Sequence, residues 1–503
     1  MTNKARNTSE KNNYLSTKII YFLPFILLIP QQAAMAPWWP LRSSGPIIFM
    51  FFAASVLLFL YVYEIIRDSK TIKLTLSQKI FFLWLLHTFI SWALVIVGLR
   101  PSLESVGARV YTAIPPYFLA FMVFLVIEKN NWKIKEYENL IKGLLIVSAI
   151  WSLESFITWY LNIKIPGLYS IYSDKYAGAI NGQEWFSSGF TGSLHTISKA
   201  SLIAFWLSLY MFFSHKKSIY LLFASGAFLT IISNLNRASS AVLVASLLFF
   251  VYMAFIRYSE GRTRRQHSFS ISRVFKSVLG MLAVVLVVGG SIFINASFKG
   301  SLLSDSHGLF ERAYQYARAG EIIMQYPYGT GAGQGFLLCY SEDATQIYTE
   351  DLRNAEPFAT FSKFYQSGIL GADLQQKNVG EDNIYSIHNF TLNILMDYGI
   401  VAWIIVIAYI LSLFKLLKFS RFLFRSKYHN LGKIFLCITL AQGSAFVAMQ
   451  ATYKFFAWMW ILVFLFLFTK HIIASSIKVQ KRQVESNGGV LIPVKEENLL
   501  TQI

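Results

Sequence analysis

The segment TLNILMDYGIVAWIIVIAYILSLF, residues 391–414, decides the fold of this chain. As a helix it is long enough to cross a hydrocarbon core of about 30 Å, and Asp397 is its only charged residue. Apolar runs of about 18 to 24 residues recur along the rest of the sequence. The segment therefore predicts a membrane-spanning helix, and its recurrence predicts a polytopic membrane protein.

The overall composition supports the same fold class. The chain has 503 residues, of which 55% are hydrophobic and 14% are charged, with a mean hydropathy of +0.48. Because a soluble domain carries about 25% charged residues, too few are present to cover a water-exposed surface of this size. An ordinary soluble enzyme is therefore excluded.

We predict an all-α polytopic membrane protein with about twelve transmembrane helices. The first 18 residues are polar and lack the short apolar region of a cleavable signal, so the first apolar run is expected to be an uncleaved span. The predicted spans lie at roughly 18–34, 46–66, 79–98, 109–127, 143–161, 197–213, 219–234, 239–256, 277–296, 391–414, 434–451 and 455–472.

The distribution of charge predicts the orientation of these spans. The chain carries 45 Lys and Arg residues against 26 Asp and Glu, a net charge of +19. If the N-terminus is cytoplasmic, most of the basic residues fall on inward segments and most of the acidic residues fall on outward segments. Because cytoplasmic loops carry the excess of Lys and Arg, we place both termini in the cytoplasm. The excess of positive charge therefore indicates the topology. The basic side chains are also expected to contact anionic membrane lipids, and nucleic acid is not an expected partner.

This topology divides the chain into five segments. Two outward loops, one within the first nine spans and one directly after them, are too long to be simple connectors, so the chemistry is expected there. The segments are a cytoplasmic tail at 1–17, spans one to nine at 18–296 with an outer loop at 162–196, a large periplasmic loop at 297–390, spans ten to twelve at 391–472, and a cytoplasmic tail at 473–503.

The large loop is predicted to be partly helical. Residues 308–326 have a helical pattern that Pro327 ends. The glycine-rich stretch 329–335 superficially resembles a dinucleotide-binding loop. It follows a helix and a proline instead of a strand, so a tight turn is the better interpretation.

Arg237 lies at the outer end of two neighbouring spans, in the segment SNLNRASSAVL. Cations within a membrane usually face a cavity and pair with an anionic group, and the surroundings of Arg237 are polar. Arg237 is therefore a candidate for binding an anionic ligand. An arginine that reaches from the span to the interface is the structural alternative.

Two further arginines lie on the predicted loop helix. Glu321 follows Arg318 by three residues, a spacing that allows an intrahelical ion pair, so Arg318 has a structural explanation. Arg312 lies near the start of the helix, where backbone N–H groups attract anions. Its guanidinium suits bidentate contact with phosphate.

His388 stands immediately before the tenth span and is the candidate general base. Its ordinary pKa is near neutrality, which allows it to accept a proton from a sugar hydroxyl. A hydrogen-bonded structural histidine is the alternative. Asn389 and Asp397 are candidate supporting residues. The sequence contains no D-x-D, no H-E-x-x-H and no paired C-x-x-C motif, so we expect no metal and no cofactor.

The order of these motifs resembles that of the O-antigen polymerase and O-antigen ligase superfamily. The resemblance rests on NLNRASSAVL with Arg237, LFERAYQYARAGEII with Arg312, YPYGTGAGQGF, and HNFTLNILMDYGIVAW with His388, and it covers roughly residues 220–410. The chain has Phe310 and Glu311 before the loop arginine, where a small residue and glycine are frequent in the family. The match therefore supports His388 more strongly than Arg312, and Arg318 is the fallback.

The resemblance implies a membrane glycosyltransferase of the GT-C class that needs no metal. Its donor would be a glycan linked to undecaprenyl diphosphate at the periplasmic face. Arg237 and Arg312 would bind the diphosphate, and His388 would assist the attacking hydroxyl. The acceptor would be a lipid-linked glycan or the lipid A core, and a chain-length regulator would be a partner protein.

Three functions follow as alternatives. A polymerase that joins lipid-linked oligosaccharide repeats is our first prediction, because polymerases vary most in length and loop sequence. A ligase that transfers the finished glycan to lipid A core shares the same donor and catalytic groups. A flippase or other transporter is less favoured, since it predicts short outer loops, and we find no internal repeat of the kind that transporters show.

Overall fold

In the computed structural model, the described part of the chain is almost entirely helical. Within the described residues there is no strand. Of the segment 79–97 only isolated positions are described, and most of them are helical. The described residues are 14–29, 45–67, 106–157, 161, 194–233, 237–260, 316, 319, 320, 322–330, 390–425, 429–449 and 459–486, with the isolated positions of 79–97.

We number the helices in chain order. A short 3-10 helix, Leu23–Leu28, follows α1 directly, because Pro24 at its start cannot continue an α-helical hydrogen-bond ladder. The helices are α1 Leu15–Phe22, α2 Gly45–Arg67, α3 Val106–Lys129, α4 Ile134–Ser155, α5 Leu194–His215, α6 Ile219–Ser233, α7 Arg237–Glu260, α8 Phe390–Tyr398, α9 Ile400–Arg425, α10 His429–Met449 and α11 Met459–Ser486.

Three helices are long and apolar enough to cross a membrane by length and composition: residues 47–67 of α2, 197–215 of α5 and 400–421 of α9. Shorter apolar helices also occur within α1, α6, α7, α10 and α11. Of the predicted spans, 277–296 lies outside the described residues. The count of about twelve spans therefore stays a prediction.

The helices pack into one bundle with an apolar interior. α5 contacts α4, α6, α7 and α10, and α11 contacts α3, α4 and α10. Several of the largest fully buried side chains come from α4, α5 and α11, namely Trp151, Trp206, Trp460, Phe464 and Phe468. These helices form the core to which the others attach.

Other helices keep large apolar side chains on the surface of the bundle. Phe52, Phe59 and Ile66 of α2 are largely exposed, and so are Ile404 and Phe414 of α9. A soluble monomer rarely exposes contiguous apolar faces of this kind. Contact with the hydrocarbon of a membrane explains them, which agrees with the composition.

A polar network closes one end of the bundle, which we refer to as the inner end. The Glu64 carboxylate of α2 accepts hydrogen bonds from Ser16 N–H at 3.0 Å and from Ser16 Oγ at 2.8 Å. It also pairs with Lys129 Nζ of α3 at 2.8 Å. Asn130 Nδ2 then donates to Ser16 Oγ and Thr17 Oγ1 at 3.1 and 3.0 Å. The start of α1, the end of α2 and the end of α3 therefore meet.

The opposite end, where α4 and α6 end and α5 and α7 begin, is the outer end. Thr230 Oγ1 of α6 donates to Ser152 Oγ of α4 at 3.0 Å, so the last turns of these two helices lie side by side. A Cβ at Gly226 would come within 2.9 Å of Ser152 Oγ, because the helices approach closely there. This end is the one that the charge distribution predicts to face the periplasm.

The structure changes several predicted boundaries. The tenth span is divided at Gly399 into α8 and α9, and α9 continues beyond residue 414 to Arg425. α11 continues to Ser486, into the segment predicted as a cytoplasmic tail. α4 begins at Ile134, nine residues before the predicted fifth span. Helices extend past the apolar run because polar residues outside the hydrocarbon can also be helical.

Candidate functional site

The divided span at Gly399 is the first feature of the candidate site. Gly399 has φ +61°, a left-handed conformation that favours glycine, and it separates α8 from α9. Its N–H still donates to Leu395 O at 2.8 Å, which ends α8. A break within a span leaves backbone groups that must find partners, because lipid offers none.

A turn from the large loop supplies those partners. The Ile400 N–H donates to Pro327 O at 2.8 Å, and the Thr330 N–H donates to Met396 O at 2.8 Å. Thr330 Oγ1 donates to the same Met396 carbonyl at 3.1 Å. The turn 326–330 is therefore anchored on the end of α8 by backbone hydrogen bonds from both sides.

Two glycines make this close contact possible. Gly329 has φ +83°, and a Cβ there would overlap Asp397 O. A Cβ at Gly399 would overlap Pro327 O and Gly329 N. Of the glycine-rich stretch 329–335 the structure describes Gly329 and Thr330, which follow a turn at Pro327 and Tyr328, so the tight turn predicted for the whole stretch stays a prediction. The described positions of the predicted loop helix are helical up to Gln325.

Ionisable and aromatic side chains collect at the same break. Asp397 is 7% exposed, and the neighbouring Tyr398 is fully buried. The Tyr398 ring meets the Tyr117 ring of α3 edge-on, with centroids 5.7 Å apart, and lies 6.1 Å from the His87 ring. Tyr117 is also within electrostatic range of Asp397. The sequence had suggested no role for His87. The structure places its ring beside the ring of Tyr398, the residue that follows Asp397.

The outer ends of α4 to α7 form the second feature. Each of these helices contacts at least two of the others, and all carry buried polar residues in their outermost turns. Arg237 is the first residue of α7 and stands at this end. The buried residues are Glu154, Ser155, Ser198, Lys199, Ser201, Thr230, Ser233, Ser239 and Ser240.

This outer polar cluster is suited to an anion or a hydroxyl-rich ligand. The first four N–H groups of a helix have no partner within the helix and, with the helix dipole, attract negative charge. Ser240 Oγ, in the first turn of α7, has no hydrogen-bond partner among the described residues. The start of α7 can therefore offer backbone donors and a hydroxyl to a phosphate group.

Most of the predicted site residues lie outside the described part of the chain. His388, Asn389, Arg312 and Arg318 are among them, and so is the side chain of Arg237. Of the predicted set, the structure describes the side chain of Asp397 and the backbone of Arg237. Their roles in binding or catalysis remain predictions.

The site residues predicted from the sequence do not include Lys199, Glu154 or Tyr117. Lys199 stands in the segment SLHTISKASLI, where a lone lysine near the edge of an apolar run looks like an interfacial residue. Charged residues inside predicted spans were a signal that could have drawn attention to Lys199 and Glu154. No comparable signal marks Tyr117.

A further polar cluster lies at the inner end. Glu138 of α4 accepts a hydrogen bond from Tyr210 OH at 3.3 Å and lies 2.9 Å from His215 Nε2. It joins the start of α4 to the end of α5. Because it stands at the opposite end from Arg237, it belongs to the packing of the bundle and not to the candidate site.

Within the described ranges, no group of three or more His, Cys, Asp or Glu side chains could hold a metal ion. No family model matches the chain, and no curated protein matches it.

Proposed function

We propose that this chain is a membrane glycosyltransferase that polymerises surface polysaccharide. It would join oligosaccharide repeats carried on undecaprenyl diphosphate, at the periplasmic face of a bacterial inner membrane. In this proposal about twelve spans cross the membrane, both termini are cytoplasmic, and the large loop before α8 covers the outer face.

One observation carries the proposal most directly. The helix that begins at Arg237 starts in a cluster of buried polar side chains, at the end of the bundle that the charge distribution predicts to be periplasmic. A lipid-linked diphosphate presents its anionic group at this depth, where the hydrocarbon ends. A helix start with an arginine is a suitable receptor for it.

The chemistry requires little beyond charge and positioning. A diphosphate on a lipid is already a good leaving group, so the enzyme has to hold its charge and place the acceptor hydroxyl in line. Attack of that hydroxyl on the anomeric carbon, opposite the departing diphosphate, would invert the configuration. His388 would accept the hydroxyl proton, and Arg237 with Arg312 would neutralise the leaving group.

The anchored turn supports this arrangement of the large loop. Thr330 and Pro327 are bonded to the break between α8 and α9, and α8 begins two residues after His388. The loop is thus attached to the span that carries the proposed base. Such an attachment would limit how far the loop can move from the donor.

A deletion strain tests the proposal. Core that carries a single repeat would indicate a polymerase. Lipid-linked polymer that accumulates beside bare core would indicate a ligase instead. Repeats trapped on the cytoplasmic leaflet would contradict both and favour a flippase.

Substitutions test the residue roles. We expect Arg237→Ala and His388→Ala each to abolish transfer while the protein remains inserted and stable, because both are proposed to act on reacting groups. Arg421→Ala is the matched control, since Arg421 lies at the inner end of α9 and is exposed. Transfer is measured as polymer formed in the complemented deletion strain, with the amount of protein determined in membranes. Full activity of either variant would remove that residue from the mechanism.

A further inference from the structure

Lys199 is a buried basic residue in the outer half of the bundle. It lies on α5, in a segment long and apolar enough to cross a membrane, and its side chain is 2% exposed. A charged side chain at such a position is costly to keep, so intramembrane lysines are usually functional. Its position relative to α7 indicates what that function is.

α5 and α7 run in the same direction. Each is joined to α6 by three residues, 216–218 and 234–236, so both are antiparallel to α6. Trp206 Nε1 of α5 donates to Ser246 Oγ of α7 at 3.2 Å, which fixes the relative height of the two helices.

This contact sets the register at the outer end. Seven residues are close to two helical turns, so residues seven apart share a face and lie about 10.5 Å apart along the axis. Lys199 precedes Trp206 by seven residues, and Ser239 precedes Ser246 by seven. Lys199 and Ser239 therefore face each other across the interface, and both are buried. Helical side chains lean toward the start of their helix, which directs the Lys199 side chain outward.

The register brings two cationic residues to one turn of α7. Ser239 is two residues after Arg237, the first residue of that helix. The first N–H groups of a helix have no partner within the helix itself, and this turn holds those of α7. It also carries Ser240, which is 6% exposed and whose hydroxyl has no partner among the residues described.

We propose that Lys199 is a phosphate-binding residue: its ammonium contacts the diphosphate of the lipid-linked donor at the first turn of α7, opposite Arg237. This inference rests on the proposed function, because it takes the same donor. The diphosphate gains negative charge as it leaves the sugar, so a further cation adds to the neutralisation that Arg237 and Arg312 supply. Lysine suits this position as a compact charge with three donors on a flexible stem.

Ligand binding to the full-length protein in lipid nanodiscs tests the inference. The probes are undecaprenyl diphosphate, undecaprenyl monophosphate and inorganic pyrophosphate. The variants are Lys199→Met, which removes the charge, and Lys199→Arg, which keeps it. Lys142→Met is the control, since Lys142 is an exposed lysine on α4 near the inner end.

We expect Lys199→Met to weaken binding of undecaprenyl diphosphate by about tenfold or more, the loss that follows from removing one charged hydrogen bond. Lys199→Arg should retain binding within about threefold of the wild-type protein, because it keeps the charge that supplies most of such a bond. Lys142→Met should leave binding unchanged. Lys199→Met should weaken the binding of undecaprenyl monophosphate less than the binding of undecaprenyl diphosphate. Weak pyrophosphate binding with the same dependence on Lys199 would show that the lipid adds affinity to a phosphate site.

Unchanged binding of undecaprenyl diphosphate by Lys199→Met would overturn the inference and leave Lys199 as a packing residue. If Lys199→Met does not fold, Lys199→Gln takes its place with the same expected loss. Failure of both variants to fold would likewise overturn it, since the lysine would then be needed for the bundle itself. If the wild-type protein binds neither lipid nor pyrophosphate, the proposed function fails, which is a separate result.

Discussion

The substitution Gly399→Ala tests whether the large loop is anchored at the break between α8 and α9. A Cβ at this position would overlap Pro327 O and Gly329 N and would lie 2.5 Å from the Tyr328 carbonyl carbon. All of these are backbone atoms, so they cannot move aside as the end of a side chain can. Gly399 also has φ +61°, which alanine adopts at a cost.

The two effects give the expected magnitude. A left-handed conformation costs a non-glycine residue about 1–2 kcal/mol, and overpacking against fixed atoms costs about 1–3 kcal/mol. We therefore expect a loss of about 2–5 kcal/mol in the free energy that holds the turn to α8. This is enough to release the turn in a large fraction of molecules.

The assay is limited proteolysis of the detergent-solubilised protein. Tyr328 is 69% exposed and lies between Pro327 and Gly329, so chymotrypsin can cleave after it only when the backbone of the turn is free. Faster appearance of the fragment that ends at Tyr328 reports release of the turn. A lower temperature of unfolding is expected in parallel.

Gly320→Ala is the matched control on the same loop segment. Gly320 is helical, and nothing lies within 4 Å of a Cβ built there. Alanine in a helix is more stable than glycine by about 0.5–1 kcal/mol, so this variant should be equal to the wild-type protein or slightly more stable. Cleavage and stability of Gly399→Ala that match the wild-type protein, or losses that are equal in the two variants, would refute the anchored turn.

Two further predictions concern the inner end. Glu64→Gln should destabilise the protein by about 3 kcal/mol, because it leaves the buried Lys129 without its anion. Lys470→Met should destabilise it by less than about 1 kcal/mol, since Lys470 is 49% exposed. Thermal unfolding in detergent measures both losses, and equal losses would contradict the stabilising role of the polar network at the inner end. Burial raises the pKa of the Tyr137 phenol, with the Glu128 and Glu136 carboxylates adding to the effect. Because the pKa of Tyr137 is raised in the folded state, its contribution to folding stability is complete below the unfolded pKa of about 10 and is lost as the pH rises above that value. Tyr137→Phe should therefore reduce the fall in stability above about pH 10, and an unchanged pH profile would contradict this.

The sequence predicted the features that depend on neighbouring residues. An apolar run predicts a helix that can enter a membrane, as for 391–414, and a proline ends a helical pattern, as Pro327 does. The glycine-rich stretch predicted a tight turn. Each of these follows from a few consecutive side chains, so each could be read without a tertiary structure.

The candidate site was less accessible to prediction. Asp397 was a candidate because of its position in an apolar run, yet its neighbours Tyr398, Tyr117 and His87 come from three parts of the chain. The Tyr398 ring meets the rings of Tyr117 and His87 only in the folded bundle, because the three residues are distant along the chain. The role proposed for Lys199 likewise depends on the tertiary structure, through a hydrogen bond between Trp206 and Ser246, forty residues apart.

Apolar length and charge act locally on insertion, so the sequence alone predicts the helical, membrane-associated class of this protein and the side of the membrane on which its loops lie. Only the tertiary structure decided that the span at 391–414 is broken at Gly399 and that a turn near Pro327 fills the break. The sequence shows a glycine in an apolar run, and a glycine alone is compatible with a continuous helix. The break is stable because Pro327 and Thr330, which are distant along the chain, satisfy the backbone groups that it exposes.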